Sequence, residues 1–186
     1  MIVLKKWNYQ YSLFPKMGLV LERTTKGDKI FSTLYRTHYP KSKGIIGRQI
    51  NYFIKKDGEL LGIIGGSSPP LRYRKFSAYF DSQYTMLNWL NNNVFRLIVH
   101  EKNLGTQILK LFRQQIKIDY EEKYGDELVG LVTFVEPPRN GAIYRADNWT
   151  FLGMTQGRTC RRPGKEKQWS AGTQKLIFAI KLKKGR

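Results

Sequence analysis

The chain has 186 residues, 41% of them hydrophobic, which is enough for the core of one domain and too much for a disordered basic tail. Its 33 Lys and Arg against 14 Asp and Glu leave a net charge of +19, a self-repulsion that a polyanionic partner offsets. A single cysteine, Cys160, excludes an internal disulfide and a cysteine-clustered zinc site.

Taken in order, residues 1–15 read as a short strand and a turn at Pro15. Residues 34–39 lead into Pro40-Lys41-Ser42-Lys43-Gly44, a basic loop. Residues 47–55 alternate in the manner of a strand, Lys56-Asp57-Gly58 is a hairpin turn, and 60–65 is the returning strand. Ser67-Ser68-Pro69-Pro70 breaks the sheet, and a short helix is expected near 82–90. Residues 94–99, VFRLIV, form a strand followed at once by a helix from 104 to about 123. Asn103 is its expected N-cap, and Leu104, Ile108, Leu111, Phe112 and Gln115 share one stripe. The near-continuous apolar run at 128–135 marks a central strand buried on both faces. A short helix at 140–147, a strand from 150 and a last strand at 173–183 complete the chain. The fold class is α/β, a mixed central sheet of about six or seven strands with three or four helices. The expected organisation is one domain over 1–186, with a basic C-terminal loop and strand at 157–186.

No run approaches the roughly 18 apolar residues that a membrane helix needs, and the N-terminus lacks a signal peptide's order. A cytoplasmic protein, of a bacterial cell or a phage-infected host, is the expectation. The charge is uneven: residues 158–186 hold ten Lys or Arg and one acid, Glu166. GRTCRRPGKEKQW reads as an exposed loop without regular structure, in which Arg158, Arg161, Arg162, Lys165 and Lys167 would neutralise phosphates. Lys41, Lys43 and Arg145 are further candidates for nucleic-acid contact. Trp149 and Phe151 beside these arginines, and Trp169 among lysines, would stack on bases or pack in the core.

The strand-to-helix junction Lys102, Asn103, Leu104, Gly105, Thr106 and Gln107 is a candidate phosphate turn, because a helix start leaves amides unpaired beside partial positive charge. Gly105 would permit close approach, and Thr106 has a hydroxyl to donate. Glu136 ends the buried strand where parallel strands diverge and is a candidate base, against the reading of a carboxylate bonded to loop amides. Tyr144 lies on the following helix and is a candidate acid. Asp147 and Asn148 are available as a cap-and-turn pair, and Arg145 as a partner for Glu136 or for a phosphate. His38 precedes the basic loop, where a structural role and a place beside a substrate are equally open. His38 and His100 lack metal-ligand spacing, so no metal is expected.

Four segments, LYRTHYPKSKGIIGRQINYFI (34–54), LLGIIGGSS (60–68), NNNVFRLIVHEKNLGTQILKLF (91–112) and VTFVEPPRNGAIYRADNWTFLGMTQGR (132–158), resemble the Druantia anti-phage family DruA. The last is the most specific. The pattern is also similar to the Mom-type phage proteins that modify adenine in DNA, a set similar in fold to GNAT acyltransferases. The resemblance implies a GNAT-like acyltransferase fold, with acetyl-coenzyme A or a related acyl donor where strands 94–99 and 128–135 splay. It implies that 102–107 takes the pyrophosphate, and that Tyr144 is the general acid, although only Asn103-Leu104-Gly105-Thr106 survives of the family's usual glycine turn. Glu136 would match the family glutamate, and His38 and Tyr39 the His-Tyr pair.

Two functions follow. One is a GNAT-like transferase acting on nucleic acid, in phage or defence-associated DNA base modification with an acyl-coenzyme A type donor, its DNA being double-stranded. The other keeps the fold without the chemistry, as a DNA-binding module of a defence or mobile-element system. Protein acetylation is less attractive at a net charge of +19.

Overall fold

The structure, a computed structural model, describes residues 18–38, 47–69, 78–80, 87–161 and 168–182. Its strands are β1 (Leu19–Thr24), β2 (Gln49–Lys56), β3 (Glu59–Ser67), β4 (Trp89–Leu97), β5 (Gly130–Val135), β6 (Thr150–Met154), β7 (Arg158–Arg161), β8 (Gln168–Ala171) and β9 (Leu176–Lys181). Its helices include α1 (Lys29–Arg36), α2 (Leu104–Tyr124) and α3 (Ala142–Ala146). Seven strands make one sheet in the order β1-β2-β3-β4-β5-β9-β6, and β7 pairs with β8 separately. Within the large sheet only β4 and β5 run parallel. The expected mixed α/β sheet is therefore present, with seven strands.

The β2–β3 hairpin closes through Asp57 and Gly58, both at positive φ, as a two-residue turn of this hand requires. The Asp57 side chain also accepts a bond from the Gly18 amide at 2.7 Å, which fixes the start of β1 beside the turn. One face of the sheet carries α2. Leu104, Ile108, Leu109, Phe112, Ile116 and Tyr120 on that helix are buried against Tyr52, Ile64, Leu90, Leu131 and Phe178. The buried stripe thus includes Leu109 where the sequence suggested Leu111. Gly125, at φ 73°, ends the helix.

On the opposite face α1 covers β2, β3 and β4 through Phe31, packed with Phe53, Ile63 and Val94. Asp28 caps α1, accepting from the amides of Ile30 and Phe31 at 2.8 and 3.0 Å. A second apolar cluster on this face, Phe80, Trp89, Val132, Ile177 and Ala179, lies under β4, β5 and β9.

Several sequence expectations change. The helix expected at 82–90 fails at its end, because Trp89 and Leu90 open β4 and bury completely; residues 81–86 lie outside the described ones. Helix α1 and strand β1 were not expected. The segment read as a basic loop is regular on both flanks, since Arg158–Arg161 pairs with Gln168–Ala171. The N-terminal strand expected over 1–15 lies outside the described residues. Among the described residues no helix is long and apolar enough to cross a membrane.

Candidate active site

Strands β4 and β5 pair at only three positions, Trp89 with Gly130, Leu90 with Leu131 and Asn91 with Val132. Strand β4 continues to Leu97 along β3, and β5 continues to Val135 along β9. Two parallel strands that each follow a different neighbour diverge, so a wedge opens towards their C-terminal ends. In open α/β sheets such a divergence is where ligands bind. The register of β4 on β3 shifts between Gly65 and Ser67, at the level where the wedge begins.

A buried polar network holds the vertex. Asn92 donates both amide hydrogens to main-chain carbonyls, of Gly65 at 2.8 Å and Val94 at 3.0 Å. Its Oδ1 is thereby turned to the Tyr144 hydroxyl, which donates to it at 2.8 Å. Thr133 of β5 donates to the Asn92 carbonyl at 2.9 Å, so its side chain replaces the next main-chain bond of the ladder. The polarity is dictated: with Asn92 accepting, the phenol proton of Tyr144 points to the vertex. Asn92 and Thr133 were not singled out from the sequence.

Helix α3 delivers Tyr144 and is anchored on both sides. Asp147, at its C-terminal end, accepts from Arg113 of α2 through Nε at 2.9 Å and Nη2 at 2.8 Å. The same carboxylate accepts from the Trp149 indole at 2.9 Å. Asp147 is thus a buried bidentate anchor, more than a cap-and-turn residue. Trp149 is buried and meets Tyr144 edge-on at 5.0 Å, so it packs in the core and offers no face to a base. Gly141, at φ 72°, lets α3 start over Phe178; a Cβ there would come within 2.3 Å of that ring. A Cβ on Gly105 would lie 2.2 Å from Ile143 Cδ1. The close approach that Gly105 permits is therefore that of α3 to α2.

At the wide end of the wedge, Arg96 of β4 donates to the Leu34 carbonyl at 2.9 Å and to the Thr37 hydroxyl, holding the last turn of α1 on the sheet. This places a cation at a helix C-terminus, where the dipole favours it. His38 follows directly. Burial, then the charges of Arg139 and Arg96, push its pKa down to about 4, so it is neutral near pH 7. Arg139 lies on the loop after β5, so that loop and the end of α1 approach each other across the wedge. Glu136, three residues before Arg139, is half-buried and pairs with Lys175 at 3.2 Å. The sequence-nominated trio is divided: Tyr144 sits at the vertex, His38 and Glu136 around the mouth.

The turn at the start of α2 is partly committed to itself. Asn103 stands at the N-cap position with φ 61° and makes no side-chain cap bond, so its role there is conformational. Thr106 donates its hydroxyl to the Asn103 carbonyl at 2.9 Å. Lys102, Asn103 and Gln107 are exposed, Leu104 is buried, and Gly105 and Thr106 are half-buried. Arg145 is exposed, with its guanidinium 5.0 Å from the Phe151 ring and 5.1 Å from that of Phe178. Arg158 and Arg161 lie on β7. Tyr39, Lys41, Lys43, Arg162, Lys165 and Lys167 lie outside the described residues. Among the described residues no group of three or more His, Cys, Asp or Glu is placed to hold a metal ion.

Comparison with known proteins places this geometry. The model of the family described as Druantia protein DruA matches residues 9–160. No curated protein matches the chain. Among solved structures, a GNAT family acetyltransferase from Elizabethkingia anophelis with acetyl-CoA bound superposes with a TM-score of 0.52, at 14% identity, over 89% of this chain and 99% of that one. A putative phosphinothricin N-acetyltransferase gives 0.51, at 14% identity, over 90% and 100%. The IAA acetyltransferase of Bacillus cereus ATCC 14579 gives 0.50, at 16% identity, over 89% and 100%. At these identities the likeness establishes the fold, that of GNAT acetyltransferases.

Proposed function

We propose, since the chain belongs to the DruA family of Druantia proteins, that it is a group transferase acting on nucleic acid, in phage or defence-associated DNA base modification, with an acyl-coenzyme A type donor. The observation that carries this reading is the wedge, three paired positions followed by divergence, with a tyrosine hydroxyl held at its vertex. The residues present fit a thioester donor in one respect: beyond Asn91, the edge of β4 that faces β5 has no partner strand among the described residues. That edge, with Lys102 to Gln107 at the end of the same strand, would hold the donor. When bound, an acyl-coenzyme A supplies an activated carbonyl.

The chain's own groups suit the proton movements of such chemistry. Tyr144 holds a proton on its hydroxyl, now donated to Asn92 Oδ1, and rotation about the C–O bond redirects it into the wedge. Burial first, then the charges of Arg139 and Arg96, keep His38 neutral at physiological pH, which makes it a weak proton acceptor for an incoming amine. Glu136 lies at the same mouth as a second proton acceptor, its charge balanced by Lys175. The cationic excess, with Arg145 stacked beside α3 and Arg158 and Arg161 on β7, would position a phosphate backbone.

A second reading, a DNA-binding module without chemistry, is favoured by the α2 turn, where Ile143 covers Gly105 and the Thr106 hydroxyl is engaged internally. Isothermal titration of the full chain with acetyl-coenzyme A separates the two. Saturable one-to-one binding is expected for the transferase. Heat of dilution only, from a sample that still binds duplex DNA, would leave the binding module.

A further inference from the structure

Strands β6 and β9 run on from the large sheet as one two-stranded arm. Beyond Met154, the Thr155 amide donates to the Lys175 carbonyl at 2.9 Å, and the Lys175 amide donates to the Thr155 hydroxyl at 2.9 Å. The Gly172 amide then donates to the Gly157 carbonyl. From there the arm becomes β7 and β8, which among the described residues pair only with each other. Gly157 stands at the junction with φ 65°, and a Cβ there would come within 2.6 Å of the Gly172 carbonyl oxygen. The ribbon therefore departs at a position that glycine fills without strain.

The root of the arm adjoins the wide end of the wedge. Leu176 pairs with Met154 on one side and with Val135, the last residue of β5, on the other. Lys175, one residue earlier, pairs with Glu136 at the mouth. A partner held by the ribbon is thus brought to the mouth.

The register sorts the ribbon's residues. Thr159 lies opposite Ser170 and Arg161 opposite Gln168, and residues two apart on a strand share a face, so these four fall on one side. Arg158, Cys160, Trp169 and Ala171 fall on the other. Neither strand contains an acid. A surface for phosphate alone would be built of Lys and Arg, yet Thr159, Gln168 and Ser170 are uncharged. Hydroxyls and carboxamides are groups that pair with base edges in the major groove. Two strands about 4.8 Å apart fit that groove in B-DNA, which is about 12 Å wide. In duplex RNA the major groove is too narrow for side chains to read. A two-stranded ribbon is also marginal by itself in water, which favours a partner surface against it.

We propose that the β7–β8 ribbon enters the major groove of duplex DNA, where Thr159, Gln168 and Ser170 read base edges and Arg161 contacts phosphate. The arm thereby selects the sequence presented to the wedge. This rests on the nucleic-acid reading above, to which it adds sequence selectivity.

The test uses the full chain and a pool of duplex DNA with a randomised central segment. Repeated selection should enrich sequences bound about tenfold more tightly than the starting pool. Replacing the purines of the selected site with 7-deazapurines removes the N7 acceptor from the major groove alone and should abolish that advantage. The combined change Thr159→Ala, Gln168→Ala and Ser170→Ala, confirmed as folded by circular dichroism, should abolish it too. The salt slope of binding should stay the same in that variant, because no charge is removed. Duplex binding without enrichment, or a preference that survives either the 7-deazapurines or the triple change, overturns this inference and leaves the nucleic-acid reading standing. Binding to no duplex overturns both.

Discussion

His38 illustrates how one residue's surroundings set its chemistry. Its folded pKa, about 4, lies below the ordinary 6.5, so between these values the unfolded chain holds more protons than the folded one. Stability therefore falls as pH is lowered from 6.5 to 4, by about 3 kcal/mol from this residue. Urea unfolding at stepped pH should show that loss, and His38→Asn should flatten it. Tyr144 makes a second residue-level prediction. Tyr144→Phe leaves Asn92 Oδ1 without its donor, at about 1–3 kcal/mol of stability measured by thermal melting. The same variant should lose transfer activity by about 10²–10⁴-fold if the tyrosine is the acid. Tyr144 was legible in the sequence from its place after a buried strand. Its partner Asn92 was not, although the run Asn91–Asn93 inside an apolar strand carried a signal, polar residues in a position that disfavours them.

At the scale of elements, α3 is only five residues long and has little helical stability of its own, so its position depends on anchors. Gly141→Ala forces a Cβ into Phe178 at a positive φ and should lower stability by about 2 kcal/mol or more, roughly 4–8 °C in a thermal melt. Asp147→Ala leaves the Arg113 guanidinium without its bidentate partner and should cost about 3–5 kcal/mol. Both variants should release Tyr144 from the vertex, seen as increased acrylamide quenching of Trp149 fluorescence. Long periodic elements were readable because their patterns are local: α2, the β2–β3 hairpin and β5 lie where expected, to within a few residues. Helix α1 escaped because it is eight residues long with one buried side chain, Phe31, and its best signal was the Asp28 cap. Hairpin β7–β8 escaped because Gly157, Pro163 and Gly164 outweighed the short runs beside them. The divergence of β4 and β5 is a tertiary fact that no local pattern encodes; the family resemblance supplied it.

For the whole molecule, charge and fold act together. A net charge of +19 on a GNAT-like scaffold makes the binding of a polyanion strongly salt-dependent. Duplex DNA affinity should fall linearly on a log–log plot against salt. Reversing Arg161 and Arg162 to Glu should weaken binding on all sequences alike and reduce the slope by about two. A salt-independent affinity would contradict that electrostatic role. The central claim, that the wedge transfers an acyl group to a base, is tested most directly by product. The full chain is incubated with isotopically labelled acetyl-coenzyme A and duplex DNA, the DNA is digested to nucleosides, and these are resolved by mass spectrometry. The expected product is a labelled acyl-nucleoside that is absent with Tyr144→Phe. Unmodified nucleosides after DNA binding and donor saturation have both been verified would contradict it.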